Sequence, residues 1–180
     1  MDIEELVAQC SEAVEEPEWH SAVRLVLERA VGDRRLVESL VGPAGGLNTL
    51  FVSPGLTVLN VVWPPCMSLY PHNHRMWAAI GIYRGREDNS FYRRQGDVIV
   101  EAGGRTLDQG DVFLLGDDAI HAVHNPISGY TGAIHVYGGN FFATPRSQWD
   151  FETLQEQPYD VEATRREFER AERNVDANLK

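Results

Sequence analysis

Two histidines one residue apart, His72 and His74, stand in the stretch Pro71–Gly85, directly before the apolar run Trp77–Arg84. That run reads as a β-strand closed by a glycine. Side chains alternate faces along extended chain, so His72 and His74 point to the same side. Two imidazoles on one face reach a single cation, and imidazole is the commonest protein metal ligand. A second segment, Gly110 to Asn125, holds His121 and His124. Three residues apart, these two face opposite ways on a strand, so one of them at most joins the first pair. A third run, Ala133-Ile134-His135-Val136-Tyr137, puts an imidazole and a phenol on one strand face. A phenol held by an imidazole can donate a hydrogen bond to bound oxygen or to a substrate carboxylate.

Such residues need a frame, and the chain supplies a helical start and a β-rich middle. Residues 1–42 read as helices, with stripes at Ile3, Leu6, Val7, Cys10, Ala13 and Val14, and then at Trp19, Ala22, Val23, Val26, Leu27 and Ala30. Asp2 followed by Glu5 resembles a capping box, and Gly32 closes the second helix. From residue 47 the period changes. Thr49–Ser53, Leu56–Trp63, Trp77–Arg84, Asp97–Glu101, Asp111–Leu115, Ile120–Val123 and Gly132–Tyr137 are short runs separated by turn residues. Strands of this length and spacing predict an antiparallel sandwich or barrel over 47–140. A charged helix is expected over 160–176. Strand parity turns Ala78, Ile80 and Ile82 inward, giving a small-lined apolar cavity.

With 180 residues, 43% of them hydrophobic and 24% charged, the chain is read as a single globular domain spanning 1–180. A formal charge of −11 disfavours nucleic acid or an anionic membrane surface as a partner. The start is acidic (Asp2, Glu4, Glu5), without a basic, apolar leader. The two cysteines, Cys10 and Cys66, lie outside any C-x-x-C pattern. The expectation is a reducing, cytoplasmic compartment with both thiols free.

The two histidine segments together resemble the cupin superfamily. Cupins carry H-x-H and a closing glycine in a first motif, matched from His72 and His74 to Gly85. Their second motif runs from a glycine through a histidine to an asparagine four residues on, matched by Gly110, His121 and Asn125; Gly116 and Asp118 replace its usual proline and glycine. The resemblance covers the β region. It implies a mainly β fold, the cupin double-stranded β-helix or jelly-roll barrel, here with N-terminal helices and a C-terminal helix. It also implies a metal in the barrel's mouth held by His72, His74 and His121, with His124 outside. The glutamate of many cupins would fall near Ala78, which coordinates nothing. Three neutral imidazoles leave a divalent ion with more net charge than two imidazoles and a carboxylate would, and such a site favours an anionic ligand such as a thiolate.

Within the cupins the chain is similar to the cysteine dioxygenase group of thiol dioxygenases, which use three histidines and a Ser-x-His-x-Tyr run. Here Ala133-Ile134-His135-Val136-Tyr137 matches the histidine and the tyrosine, with alanine for the serine, and Trp63 matches a tryptophan of that group. Ala78 stands where the animal enzymes keep a cysteine cross-linked to the tyrosine, so no cross-link is expected. The arginine that holds the substrate carboxylate in cysteine dioxygenases is absent from the matching stretch Ala44–Thr49. Asn48, Arg75 and Trp77 are named for substrate contact in its place; Arg84 is read as a solvated charge. The resemblance thus implies a mononuclear Fe(II) oxidoreductase, other divalent metals being open. It would oxidise a small thiol, not necessarily cysteine, to a sulfinate with O2, with His135 and Tyr137 catalytic, as a monomer or homodimer. The alternatives are a cupin metalloenzyme acting on a substrate without sulfur, and a non-catalytic metal- or ligand-binding cupin.

Overall fold

The computed structural model describes residues 1–42 and 44–178. Three helices come first: Ile3–Ala13 (α1), Trp19–Gly32 (α2) and Arg34–Leu40 (α3). The Asp2 carboxylate accepts the Glu5 backbone N–H at 3.0 Å, and Asp33 likewise accepts that of Leu36 at 3.0 Å, so two of these helices begin on a side-chain cap. Leu6 and Cys10 of α1, and Val23, Leu27 and Ala30 of α2, are fully buried along the expected stripes.

Eleven strands follow: Gly46–Val52 (β1), Thr57–Trp63 (β2), Ser68–Asn73 (β3), Ala78–Arg84 (β4), Arg86–Gln95 (β5), Val98–Asp108 (β6), Val112–Leu115 (β7), Ile120–His124 (β8), Thr131–Tyr137 (β9), Ser147–Trp149 (β10) and Glu156–Pro158 (β11). The helix Val161–Asn178 (α4) comes last. Two sheets form, in the orders β1-β2-β9-β4-β7 and β11-β10-β3-β8-β5-β6, with antiparallel pairing throughout. The eight strands β2 to β9 divide as 2-9-4-7 and 3-8-5-6, which is the jelly-roll order of two interleaved Greek keys.

Alternation along β4 separates two cores. Ala79 and Tyr83 face the helices, whereas Ala78, Ile80 and Ile82 face the space between the sheets. Gly81 lets α2 lie close on β4, because a Cβ there would stand 2.8 Å from Val31 Cγ1. At the other end α4 buries Phe168 against Trp63, ring centroids 5.0 Å apart. Asn125 ties off the barrel end: its amide donates to the carbonyls of Trp63, Pro64 and Gly129 at 2.9–3.1 Å. Among the described residues, no helix is long and apolar enough to cross a membrane.

Four strands depart from the sequence expectation: β3, β5, β10 and β11 carry too much polarity or too few residues to register as apolar runs, and β6 continues past Glu101 to Asp108. In β3 a register shift between Leu69 and His72 accommodates Pro71, which offers no N–H to the ladder. In β5 one face meets solvent while Glu87 and Asn89 are buried between the sheets.

The two thiols differ in environment. Cys10 is buried and its thiol is pushed up to about 12 by burial, whereas Cys66 is exposed. A thiol-specific disulfide reagent at pH 8 is therefore expected to titrate one cysteine per native chain, the one lost in Cys66→Ser, and two in denaturant. Two fast equivalents from native protein would contradict the packing of α1.

Candidate metal centre

The register of β3 on β8 sets His72 directly opposite His121, and His74 follows just beyond the end of β3. All three histidines are buried, exposed by 4%, 2% and 1% for His72, His74 and His121. Their Nε2 atoms converge: His72 to His74 is 3.2 Å and His74 to His121 is 3.4 Å. His72 Nδ1–H donates to the Tyr70 carbonyl at 3.0 Å, and His121 Nδ1–H donates to Asn89 Oδ1 at 2.8 Å. Each of these bonds puts the ring proton on Nδ1 and leaves Nε2 with a bare lone pair. Burial pushes His72 down to about 4, and burial followed by the neighbouring imidazoles pushes His74 and His121 well below the usual histidine range. At neutral pH the three imidazoles are uncharged, with Nε2 of His72 and His121 set as acceptors, and His74 Nδ1 is buried without a hydrogen-bond partner.

Those three groups fit a divalent cation. A metal–imidazole bond of about 2.0–2.1 Å, with angles between octahedral and tetrahedral, separates the nitrogens by roughly 3.0–3.4 Å. The observed separations lie in that range. A proton on His74 Nε2 satisfies one of the two facing lone pairs but not both, and a cation satisfies all three. The cavity they border, walled by Trp63, Leu69, Val123, Tyr137 and Tyr159, has a volume of about 20 Å³, room for one ion or one water.

Around the histidines lies a polar network. The Tyr137 ring packs edge-on to His74, centroids 5.0 Å apart, and its hydroxyl is 2.9 Å from His135 Nδ1. Burial pushes the Tyr137 hydroxyl far up, so it stays a phenol. On the far side of His135, Nε2 faces Glu87 Oε2 at 3.8 Å, and Glu87 Oε1 accepts from Asn89 Nδ2 at 3.0 Å. Glu87 and Asn89 escaped the sequence reading; the trace they leave is the alternation Glu87, Asn89, Phe91 following Gly85.

Arg146 escaped it too. It is 7% exposed, with its guanidinium 4.1 Å from the Phe141 ring centroid and 3.9 Å from that of Tyr159. Its Nη1 donates to the Phe141 and Thr144 carbonyls, whereas Nε and Nη2 are buried without a partner. It lines the outer cleft with Arg75 and Glu156, and Tyr159, whose ring it covers, also walls the histidine cavity.

Three residues named for substrate contact lie elsewhere. Trp77 packs on Trp19 of α2, centroids 4.4 Å apart, because odd positions before β4 face the helices. Asn48 is exposed on the edge strand β1 and donates to the Asn60 carbonyl at 3.2 Å. Arg75 is exposed on an open outer cleft shared with Arg146 and Glu156; a φ of 55° at the turn after the histidines carries it outward. His124 faces away from the cluster and meets Ser68 Oγ at 2.9 Å. Ala78 lies directly opposite Tyr137 in the β4–β9 register.

No family model matches the chain. Among solved structures, a protein from Bacillus halodurans superposes with a TM-score of 0.50 at 13% identity, over 57% of this chain and 76% of that one. A conserved protein with a double-stranded β-helix domain from Klebsiella pneumoniae superposes at 0.47 and 14%, over 61% and 88%. An RmlC-like cupin family protein from Methanocaldococcus jannaschii gives 0.47 and 11%, over 56% and 85%. At these identities the likeness concerns the fold alone, and the strand order agrees with it. The strand order makes the fold a double-stranded β-helix. In that fold the histidine cluster occupies the interior of the barrel, and the N-terminal helices pack on the outer face of one sheet.

Metal-free protein is expected to take up one divalent ion per chain. A free concentration 100 times Kd adds about 2.7 kcal/mol, read as a Tm rise of roughly 5–10 °C for a chain of this size. His74→Ala is expected to weaken binding by more than the ~100-fold typical of an outer-shell loss and to remove the rise. An undiminished rise in the variant would move the ion to another site.

Proposed function

We propose that this chain is a mononuclear non-haem Fe(II) thiol dioxygenase of the cysteine dioxygenase type, working on a small thiol that also carries a carboxylate. The observation that carries the reading is a carboxylate-free set of three imidazoles with a hydrogen-bonded His135–Tyr137 pair against it. The overall change is RS⁻ + O2 → RSO2⁻: sulfur takes both oxygen atoms, and no further reductant is needed. His72, His74 and His121 would hold the iron, which when bound supplies the one-electron chemistry that lets O2 react with a thiolate.

The chain's own groups do the rest. Three neutral ligands leave the ion's charge undiminished, which favours the thiolate over the thiol. Trp63, Leu69 and Val123 keep the cavity apolar and exclude water. Tyr137 holds its proton and can turn its O–H from His135 toward a ligand. Arg146 offers Nε–H and Nη2–H, two parallel donors on one edge of the guanidinium, the geometry that grips a carboxylate bidentately. Arg146 thus fills the role of the arginine missing upstream of His72. The small volume of the cavity favours a second reading, a metal-binding cupin without a substrate.

Protein loaded anaerobically with Fe(II) is to be tested with cysteine, 3-mercaptopropionate, mercaptosuccinate and cysteamine, by oxygen uptake and product mass. A product heavier by two oxygen atoms, absent with His72→Ala, is expected. No uptake with any thiol at full iron loading would remove the dioxygenase reading and leave non-thiol chemistry or metal binding alone.

Arg146→Gln separates the anchor from the chemistry. Losing a charge-assisted bidentate pair, about 1.5–3 kcal/mol, is expected to raise KM roughly 10–100-fold for thiols with a carboxylate and to spare cysteamine, which has none. Equal losses for both kinds of thiol would deny Arg146 that role.

A further inference from the structure

Hydrogen-bond direction in the network around the histidines is fixed at one atom group. Among Tyr137, His135, Glu87, Asn89 and His121, Glu87 in its carboxylate form is the one member that only accepts. Its Oε1 meets Asn89 Nδ2 at 3.0 Å, and its Oε2 and His135 Nε2 are both buried without a hydrogen-bond partner and face each other at 3.8 Å, a gap that a small shift of either side chain closes. Position 133, on the same strand face as His135, is alanine and offers no hydroxyl in competition.

We propose that Glu87 is a positioning residue that sets the tautomers of two histidines at once. On one arm the carboxylate draws the Asn89 N–H2 toward itself. Asn89 then presents Oδ1 to His121, whose Nδ1 must carry the proton, and His121 Nε2 is left bare toward His74. On the other arm the carboxylate draws the His135 proton to Nε2. His135 Nδ1 is then an acceptor, and the Tyr137 hydroxyl must donate to it. One buried carboxylate thereby orients both a ligand lone pair and the phenolic proton. It also returns, outside the metal's own ligands, the negative charge that the three-imidazole set lacks. The His121 arm deepens the metal reading, whereas the His135 arm stands without it.

Glu87→Gln is the informative variant, being equal in shape. With its Oε1 kept toward Asn89, its N–H2 faces His135. That demands a bare His135 Nε2, with the proton on Nδ1 directed at the Tyr137 oxygen. Long-range ¹H–¹⁵N correlation spectra of ¹⁵N-histidine-labelled metal-free protein read these states directly, with His135 assigned from its absence in His135→Asn. The expected wild-type pattern is His135 protonated on Nε2 and His121 on Nδ1. In Glu87→Gln, His135 is expected to change to Nδ1 while His121 stays. In Glu87→Ala, zinc affinity is expected to fall ~10–100-fold as Asn89 loses its hold on His121. A wild-type His135 protonated on Nδ1, or a His135 signal unchanged in Glu87→Gln, would overturn the proposal. If neither variant folds, the wild-type spectrum decides. Protein with the expected tautomers that takes up no zinc would sink the metal reading and leave Glu87's role on His135 intact.

Discussion

The bare Nε2 lone pairs of His72 and His121 are aimed at one buried point beside His74, where they repel, and the rest of this structure can be understood as what holds them there. Solvent cannot relieve the repulsion, because all three imidazoles are buried, and protonation cannot, because burial drives their pKa values down. Two of the rings are locked from behind, by the Tyr70 carbonyl and by Asn89. The pairing of His72 opposite His121 is a matter of strand register, and a slip of one residue would turn a histidine out of the barrel. The cost of the arrangement is therefore borne by the whole sandwich: by α2 seated on β4 at Gly81, and by Asn125 tying the barrel end to three carbonyls. A proton on His74 Nε2 relieves one facing lone pair at a time, whereas a divalent ion engages every imidazole of the set at once.

The parts of this design that obey a simple period were legible in the residues. His72 and His74 share a face, His121 and His124 do not, and Ala78, Ile80 and Ile82 turn inward while Ala79 and Tyr83 turn to the helices. The helices, with their stripes and the Asp2 cap, were legible for the same reason, whereas the Asp33 cap of α3 was seen only in the structure. What escaped did so on physical grounds. A strand reads as a strand when its buried face is apolar, and the buried face of β5 carries Glu87 and Asn89 because it serves the site as well as the core. Its charged alternate residues look like a solvated loop. Arg146 is a single arginine in an irregular segment. Its burial depends on Phe141 and Tyr159, which close on it from two different parts of the chain and leave no spacing to detect. Trp77 misled in the opposite sense: its nearness to the histidines in sequence says nothing of its face, and parity sends it to α2.

Charge placement gives the site a polarity. Glu87 lies behind His135 and His121, on the β5 side, whereas Arg146 lies toward Phe141 and Tyr159, by the segment that follows β9. A ligand with a negative end would find its complement at Arg146, and Tyr137, next to both His74 and His135, lies between Arg146 and Glu87. Unpartnered buried donors cost roughly 1–3 kcal/mol each. Arg146 keeps two of them on the edge that matches a carboxylate, a cost that an anionic ligand would repay on binding.

Volume then says which wall must yield. A space of about 20 Å³ admits an ion and no organic thiol. The histidine side consists of β3, β8 and β5, joined by ladders, and its His72 and His121 rings are locked from behind. The opposite side, Arg146 and Tyr159, rests on β10 and β11, three residues each, with one registered pair, Gln148 with His72, joining β10 to β3. Fewer ladder bonds mean a lower free energy of local opening. On the proposed reading, a carboxylate-bearing substrate would enter on the side where the free arginine edge stands, and the group that recognises it would also be the group it displaces.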